Sequence, residues 1–398
     1  MSVPYEFSLP ILIKFGCGES SKVGAIAKER GWNNTIIITD NGVANAGLLK
    51  GIKESLNLSR VQYTIFDEVE PNPKSSGVEK ATRLLKEKKC SFVIGVGGGS
   101  SLDTAKATAL LATNPGKPSD YAQWAGQAPR VFNNHLLPLV TIPTTAGTGS
   151  EVDFWAGISD SDLRKMDLGQ APLYPGGPYL GATISIVDPL LTVTLPPKQT
   201  AATGIDALAH AIDAYTSKIS NPHASALAQD AIELVSKNLR NAFANGKNVE
   251  ARENMLLAAN LAGICMNSVP ILGADHALAL AMGDIYHDTT HGVAVALFAP
   301  AAMEFNAVVN PSKYAKIAFL MGQDVSGLSA EKAAMKSVDA LRELVKDLNL
   351  PTNLSSVGVK KEDLPAIAKN ATQKVDIEGN PRQIGYDDLL KMIERIYE

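Results

Sequence analysis

The amino-acid sequence predicts an α/β half followed by an all-helical half, and two observations carry this prediction. Up to about residue 190, short β-branched runs such as NTIIITD and SFVIGVGG alternate with amphipathic stretches of helical periodicity. This alternation is typical of a parallel sheet with helices on both faces. After Pro196-Pro197 the apolar residues recur with a helical period, and no further convincing strand follows. We therefore predict an α/β domain over residues 1–195 and a helical domain over residues 196–398.

The individual elements follow in chain order. Runs rich in Ile, Val and Thr predict strands at NTIIITD, VQYTIFDEV, SFVIGVGG, LPLVTIPTT and ATISIVDP. Apolar residues three and four positions apart predict intervening helices at NGVANAGLLKGIKESL, SSGVEKATRLLKEK and SSLDTAKATALL. In the second half the same spacing predicts helices at TAATGIDALAHAIDAYTSK, HASALAQDAIELVSKNLRNAF, ENMLLAANLAGICMN, HGVAVALFAPAAMEFN, AEKAAMKSVDALRELVKDLNL and YDDLLKMIERIY.

Composition excludes several classes of protein. The 398 residues are 45% apolar and 20% charged, as is ordinary for a globular protein long enough for two cores. A net charge of -4 with mixed acids and bases offers no surface for nucleic acid. The apolar run at the N-terminus is too short for a signal peptide, and no segment approaches a membrane span. The distant Cys17, Cys90 and Cys265 argue against a disulfide framework and predict buried thiols in a cytoplasmic protein.

Two glycine-containing loops follow predicted strands. The first, IGVGGGSSLDTAK at residues 94–106, allows close backbone approach at a helix N-terminus, which suits a pyrophosphate. It departs from the usual dinucleotide fingerprint because Ser100 is the sixth residue from Gly95, and a tight turn without a ligand would explain an isolated loop of this kind equally well. The second loop, TIPTTAGTGSEV, adds four hydroxyl side chains, those of Thr144, Thr145, Thr148 and Ser150. Two such loops in one parallel sheet favour a nucleotide cofactor.

Asp40 ends the first predicted strand of the α/β half. A carboxylate there can accept hydrogen bonds from an adenosine ribose and would repel a 2′-phosphate, which predicts NAD rather than NADP. The sequence Asp-Asn-Gly at 40–42 is also typical of a turn or a helix N-cap, and the two roles are compatible.

The second half carries side chains with the chemistry of metal ligands. Asp206 and His210 in GIDALAHAIDAY are four residues apart, so both project from one face of an otherwise apolar helix. A lone pair of this kind is more often a helix-surface interaction, but the segment GADHALALAMGDIYHDTTHG adds His276 and His291 from another helix and the start of the next. Three nitrogens and one carboxylate oxygen suit Fe(II) or Zn(II) and leave coordination room for a substrate oxygen.

The motifs GGGSSLDTAK, PTTAGTGSEV, GIDALAHAIDAY and the final HG of the histidine segment resemble the iron-containing (group III) alcohol dehydrogenase family. The resemblance extends to NPRQIGYDDLLKMI near the C-terminus. It implies a Rossmann-like N-terminal domain, a helical C-terminal domain and an active site in the cleft between them, in a dehydroquinate synthase-like architecture. It also implies a homodimer or higher homo-oligomer that interconverts a small alcohol and its aldehyde or ketone with NAD and a divalent metal, Fe(II) or Zn(II).

The family's site residues transfer to this chain position by position. The resemblance assigns the metal to Asp206, His210, His276 and His291. It assigns contacts with the cofactor to Asp40, Asn72, Gly97, Gly98, Gly99, Ser100, Asp103, Thr144, Thr145, Thr148, Ser150 and Lys165.

The sequence departs from the family pattern in the histidine segment. Many members carry a histidine, linked to proton transfer, four residues after the ligand that corresponds to His276, and here that position is Leu280. The spacing from His276 to His291 is also longer than the family pattern. We assign His291 as the ligand because Gly292 follows it as in the family motif, and we expect His287 to act in proton transfer.

Two other functions stay open. A lyase of the dehydroquinate synthase type would share architecture, NAD and metal, although PTTAGTGSEV favours the dehydrogenase. A non-catalytic metal- or nucleotide-binding protein would fit if the departures mark lost catalysis.

The histidine segment also bears on the substrate. Asp275, Asp284 and Asp288 predict acidic surroundings for the metal, which disfavour anionic substrates. We therefore expect small neutral alcohols, diols or aldehydes, or amino-bearing ones, to react better than carboxylate-bearing compounds.

Overall fold

The protein is described by a computed structural model that covers residues 4–123, 129–160, 164–270 and 272–398. The chain forms two compact units, one of Leu9–Leu195 and one of Pro196–Glu398 with the described residues that precede Leu9. The units therefore divide at the double proline. In the described ranges, no helix has both the length and the apolar character needed to cross a bilayer.

A parallel sheet of six strands forms the centre of the α/β unit. The described strands of this unit are β1 Leu12–Phe15, β2 Asn34–Ile38, β3 Gln62–Phe66, β4 Phe92–Gly97, β5 Ala122–Gln123, β6 Leu139–Pro143, β7 Trp155–Ser159, β8 Lys165–Gly169 and β9 Ile184–Val187. The sheet order is β1-β9-β6-β4-β2-β3, and all neighbouring pairs are parallel. The α/β prediction is confirmed, and the predicted strands correspond to β2, β3, β4, β6 and β9.

The helices of this unit are α1 Val23–Glu29, α2 Asn41–Asn45, α3 Lys50–Leu58, α4 Ser75–Glu87 and α5 Gly99–Thr113. The single helix predicted over NGVANAGLLKGIKESL is instead the pair α2 and α3. Gly47, with a φ of 75°, ends the first of them, because only glycine adopts this left-handed conformation without strain.

A small antiparallel sheet, ordered β5-β8-β7, was not predicted from the sequence. Its strands are short and contain glycine and charged residues, as in KMDLG, so they lack a β-branched run. Ile158 and Leu168 of this sheet pack with Val78 and Leu110 of α4 and α5 in one core. A separate core holds Ile37 of β2 with other side chains of the large sheet and of α1 and α3.

The second unit is helical throughout the part that the structure describes. Its helices are α6 Pro197–Thr216, α7 Pro222–Ala244, α8 Val249–Met266, α9 Ala274–Gly283, α10 His291–Asn306, α11 Pro311–Leu320, α12 Ala330–Asp347, α13 Leu364–Ala371 and α14 Tyr386–Arg395. The six predicted helices are present, and α11 and α13 are additional. The helix expected around His276 is α9, which is buried on nearly all sides, so its sequence shows no amphipathic period.

Short 3₁₀ segments complete the described elements. The 3₁₀ segments are Glu19–Lys22, Pro118–Tyr121, Pro189–Thr192, Ser355–Val357, Lys361–Asp363 and Val375–Gly379. The prediction of buried thiols is confirmed for two of the three cysteines. Cys90 and Cys265 are buried free thiols, whereas Cys17 is exposed, so the prediction is wrong for Cys17.

Candidate active site

Helix α6 aligns three polar side chains along one face. Asp206, His210 and Asp213 are spaced four and three residues apart, so they lie above one another on the helix. All three are buried, although α6 is otherwise composed largely of apolar residues. Buried charged side chains require partners, and the neighbouring helices α9 and α10 supply them.

His276 lies on α9, and His291 is the first residue of α10. Gly292 allows the start of α10 to approach α6 closely, because a Cβ at this position would lie 2.3 Å from the carbonyl oxygen of Ala202. As a result, Oδ1 of Asp206 lies 3.7 Å from Nε2 of His291, 3.9 Å from Nε2 of His276 and 4.0 Å from Nε2 of His210.

These four side chains fit a divalent first-row ion. The three distances exceed hydrogen-bonding range. Oδ1 of Asp206 and Nε2 of His276 are buried and make no hydrogen bond with any described residue. Leaving such atoms unsatisfied is costly. Donors around a tetrahedral ion at about 2.1 Å lie about 3.4 Å apart, close to the spacing observed here. The geometry thus places donor atoms of Asp206, His276 and His291 within 4.8 Å of one another and Nε2 of His210 at 4.0 Å from Asp206.

The charges at this group are consistent with an ionised carboxylate. Burial alone raises the pKa of the Asp206 carboxyl. The positive charges of His210 and His291 lower this pKa by a larger amount, so it lies below its usual range. Burial lowers the pKa of His276, whereas the negative charge of Asp275 raises it well above its usual value. The group therefore has strong affinity for positive charge, whether from protons or from a metal ion.

Two carboxyl groups lie behind His276, on the side away from Asp206. Oδ2 of Asp213 is 2.9 Å from Nδ1 of His276, and Oδ1 of Asp275 is 3.5 Å from the same nitrogen. Asp213 was not singled out in the sequence. Its signal was a third polar residue on the Asp206 face of an apolar helix.

Three further polar residues of the histidine segment are His287, Asp284 and Asp288. His287 is exposed between α9 and α10, and its Nδ1 is 2.9 Å from the carbonyl oxygen of Gly283. Asp284 forms an ion pair of 2.7 Å with Lys374, and Asp288 is exposed. Since Asp275 faces His276 and Asp284 is paired, the structure leaves fewer uncompensated negative charges here than the sequence predicted.

The residues expected to bind the cofactor follow three adjacent strands. Asp40, Gly97 and Thr144 lie at the carboxyl ends of β2, β4 and β6. From β2 the chain continues to β3 on one side, and it then returns to place β4 on the other side. This reversal is the position at which open α/β sheets bind ligands.

The glycine loop and the threonine loop pack directly against each other. The backbone N–H of Thr144 donates to the carbonyl oxygen of Gly97 at 2.9 Å. A Cβ at Gly99 would lie 2.8 Å from Cγ2 of Thr148, and one at Gly98 would lie 3.3 Å from Cγ2 of Thr145. Gly98 caps α5, whose first turn contains Ser100. Larger residues would separate the loops from each other.

Asp40 caps α2 and is linked to the glycine loop. Its Oδ1 accepts a hydrogen bond from the backbone N–H of Val43 at 3.0 Å, which is an N-cap contact. Its Oδ2 accepts from the Ser101 hydroxyl at 3.1 Å. The carboxylate is thus held at the edge of the sheet, next to β4.

Asp103 and Ser150 bond to each other. The Ser150 hydroxyl donates to Oδ1 of Asp103 at 2.6 Å, and the N–H of Gly157 donates to Oδ2 at 2.9 Å. The fully buried Lys106 lies nearby and donates to Asp153 and to the carbonyl oxygen of Trp155. These bonds attach the small antiparallel sheet to α5. A direct contact of Asp103 with the cofactor remains a prediction.

Asn72 and Lys165 are brought near each other through Ser159. Asn72 has a φ of 53°, and the next residue, Pro73, accepts a hydrogen bond from the N–H of Ser159 at 2.7 Å. Ser159 pairs with Lys165 in the small sheet. Both predicted cofactor residues therefore lie where the loop before α4 meets β7 and β8.

Asp103 predicts a pH dependence of stability. Burial raises its pKa from 3.8 to about 6. The folded protein then holds this proton at pH values where the unfolded chain has lost it. The free energy of unfolding should fall by about 3 kcal/mol as the pH rises from about 4 to about 6. Asp103→Asn does not titrate, so its melting temperature relative to wild type should increase over this range. If the difference in melting temperature between Asp103→Asn and wild type did not change with pH, the prediction would be wrong.

Comparisons with known proteins agree with both units. Residues 10–189 match the family model described as iron-containing alcohol dehydrogenase, and residues 200–397 match its C-terminal counterpart. The chain is 40% identical to a choline dehydrogenase of Bacillus subtilis, over 96% of this chain and 92% of that protein. It is 37% identical to a 1,3-propanediol dehydrogenase of Klebsiella pneumoniae, over 95% of each. The solved alcohol dehydrogenase from Oenococcus oeni superposes with a TM-score of 0.91 at 34% identity, over 99% of this chain and 100% of that one.

The fold and these comparisons define a metal-dependent oxidoreductase that uses NAD(H). The chain belongs to the iron-containing alcohol dehydrogenase family. Its reaction is the interconversion of an alcohol and the corresponding aldehyde or ketone, with NAD(H) and an iron-type metal. This result confirms the predicted family, activity and cofactors, and it supports the dehydrogenase as the main prediction.

Proposed function

We propose that Asp206, His210, His276 and His291 hold one divalent ion and that this ion serves the dehydrogenase reaction. The observation that carries the proposal is the convergence of three Nε2 atoms on the buried Oδ1 of Asp206. When bound, the metal would polarise the substrate oxygen, and NAD(H) would exchange a hydride with the carbon that bears this oxygen. The ionised Asp206 supplies the negative charge that retains the ion, and the imidazoles add neutral donors.

We propose that the glycine and threonine loops bind NAD. The N-terminal N–H groups of α5 are suited to the pyrophosphate. The other predicted contacts are Asp40, Asn72, Gly97, Gly98, Gly99, Ser100, Asp103, Thr144, Thr145, Thr148, Ser150 and Lys165. Support comes from their place in the fold: most of them lie at the carboxyl ends of β2, β4 and β6, around the point where the strand order reverses.

His287 is the proposed proton acceptor in place of the family histidine that Leu280 replaces. In a neutral ring, an Nδ1 that lies 2.9 Å from a carbonyl oxygen carries the proton and donates it. Nε2 is then the basic nitrogen of the ring. The exposed position of His287 allows exchange with solvent. His287→Phe should lower kcat most strongly at low pH and leave metal content unchanged. Equal rates for both proteins at all pH values would contradict this role.

The substrate is proposed to be a small neutral or cationic alcohol, or the matching aldehyde. The pKa values of the buried Asp206 and Asp275 both lie below their usual range, so a carboxylate substrate would meet like charges there. Two relatives are a choline dehydrogenase and a 1,3-propanediol dehydrogenase, whose names contain a cationic and a neutral alcohol.

A substrate panel tests this proposal. The protein is reconstituted anaerobically with Fe(II) and, separately, with Zn(II), and NADH absorbance is followed. The alcohols are choline, 1,3-propanediol, 1-propanol and 3-hydroxypropionate, which are all small primary alcohols and differ in charge. We expect the neutral or cationic alcohols to have the highest kcat/KM. A preference for 3-hydroxypropionate would contradict the proposed charge selectivity.

Cofactor choice gives a separate prediction for Asp40. Asp40→Asn removes the charge and keeps an oxygen that can accept from Val43, whereas Asp40→Gly removes both. Repulsion between the carboxylate and a 2′-phosphate should be worth about 1 kcal/mol or more, so both variants should narrow the NAD to NADP ratio of kcat/KM by about fivefold or more. A wild-type enzyme that prefers NADP would contradict the assignment.

We also propose the homo-oligomer and the cytoplasmic location predicted from the sequence. The buried free thiols of Cys90 and Cys265 are compatible with a reducing compartment. Light scattering of the purified protein measures the oligomer directly, and a monomeric mass would contradict this part of the proposal.

A further inference from the structure

A buried carboxyl pair, Asp213 and Asp275, lies behind His276 on the side away from Asp206. Asp213 lies on α6, and Asp275 directly precedes His276 on α9. The side chains of Asp213, Asp275 and His276 are 10%, 5% and 2% exposed. Burying two carboxyl groups next to each other is unfavourable unless hydrogen bonds compensate. Their arrangement around one imidazole supplies such bonds.

Asp213 determines which nitrogen of His276 is available. The 2.9 Å separation between Oδ2 of Asp213 and Nδ1 of His276 is a hydrogen bond, in which Nδ1–H donates to the carboxylate. A ring that donates through Nδ1 has its lone pair on Nε2, and Nε2 is the atom 3.9 Å from Oδ1 of Asp206. A carboxyl oxygen that accepts a hydrogen bond from Nδ1–H also raises the basicity of Nε2.

Asp275 and Gly273 hold this contact in place. Oδ1 of Asp275 accepts a hydrogen bond from the backbone N–H of His276 at 2.9 Å, at the first turn of α9. A Cβ at Gly273 would lie 3.0 and 3.1 Å from the two carboxylate oxygens of Asp213, and 3.1 Å from Oδ1 of Asp275. The absence of a side chain at Gly273 therefore gives both carboxyl groups their space.

We propose that Asp213 is a positioning residue for the metal: through its hydrogen bond to Nδ1 it fixes the ring of His276 with Nε2 directed at the ion, and Gly273 makes room for it. The inference rests on the proposed metal site. His210 and His276 stack with ring centroids 4.7 Å apart and planes 16° from parallel, so a rotation of the His276 ring would also disturb His210. Loss of the Asp213 contact should therefore weaken metal binding beyond the effect on one ligand.

Cobalt(II) binding to the full-length protein tests the proposal. Wild type, Asp213→Asn and Gly273→Ala are titrated with Co(II) against a competing chelator, and the d–d absorption bands and dissociation rate are recorded. We expect one Co(II) per chain in wild type. Asp213→Asn should raise the Kd by about 10–100-fold and shift the bands, because the ligand field of His276 changes. Gly273→Ala should change both quantities in the same direction, so it provides a second test if Asp213→Asn does not fold.

Asp376→Asn is the matched control. Asp376 is a half-buried acid in the same unit whose charge also acts on His276, but it accepts its hydrogen bond from the backbone N–H of Leu272. The Asp376→Asn variant should leave the Co(II) absorption bands unchanged. If it weakens Co(II) binding as much as Asp213→Asn does, the effect is one of general negative charge and the positioning role is wrong.

The remaining outcomes separate this inference from the metal site itself. Equal Kd values and identical bands in wild type and Asp213→Asn would overturn the positioning role while leaving the metal site intact. No stoichiometric Co(II) in wild type would overturn the metal site and with it the inference. A second ion that disappears in Asp213→Asn would make Asp213 a ligand, which also contradicts the proposal.

Discussion

Replacing His276 with alanine is expected to abolish stoichiometric metal binding and to lower kcat/KM by about three orders of magnitude or more. His276 is the most deeply buried of the four proposed ligands, and its Nε2 makes no hydrogen bond with any described residue. Without it the ion has lost one nitrogen donor and the stacked neighbour of His210. Losing metal polarisation of the substrate oxygen removes several kcal/mol of transition-state stabilisation.

Metal analysis and steady-state kinetics measure this effect together. His135→Ala is the control, since His135 is an exposed histidine of the α/β unit. It should keep full metal content and activity. Unchanged stoichiometry and activity in His276→Ala would show that the ion, if one binds, is held elsewhere.

The second large effect is expected for Gly97→Ala, which should weaken NADH binding by about 5- to 150-fold. Gly97 has a φ of 148°, which L-residues rarely adopt, and an added Cβ would lie 2.6 Å from the Ser101 hydroxyl oxygen. Strain of this kind costs about 1–3 kcal/mol, which corresponds to that range of Kd. Relief of the contact would move the start of α5 away from the proposed pyrophosphate site.

Fluorescence titration with NADH measures the effect, and Gly77→Ala provides a matched control. Gly77 lies in α4, where an added Cβ would have no heavy atom within 4 Å. The control should bind NADH as wild type does and should be slightly more stable, because alanine favours the helix. Equal NADH affinity in Gly97→Ala and wild type would place the cofactor away from this loop.

The large sheet could be predicted because each of its central strands is buried on both faces. Such strands consist of continuous β-branched runs, as in NTIII of β2, and these are visible without an alignment. The small antiparallel sheet could not be predicted. Its strands, such as WAGIS, owe their conformation to pairing with each other and to burial against α5, which are contacts distant in sequence.

The candidate metal ligands could be predicted because polar residues on apolar helices are conspicuous. The carboxyl pair that supports His276 could not be assigned in the same way. Asp213 lies 63 positions from His276, and nothing local indicates that α6 and α9 meet there. The negative charge of Asp284 is compensated by Lys374, and this ion pair could not be predicted either because Lys374 is distant in sequence. The acidity expected around the site was therefore overestimated.

Anomalous diffraction at the iron edge, from crystals of the Fe(II)-reconstituted protein, tests the central claim most directly. We predict one strong peak per chain, at about 2.0–2.3 Å from Oδ1 of Asp206 and from Nε2 of His210, His276 and His291. A peak on the Nδ1 side of His276, between Asp213 and Asp275, or no peak within reach of Asp206, would contradict the account.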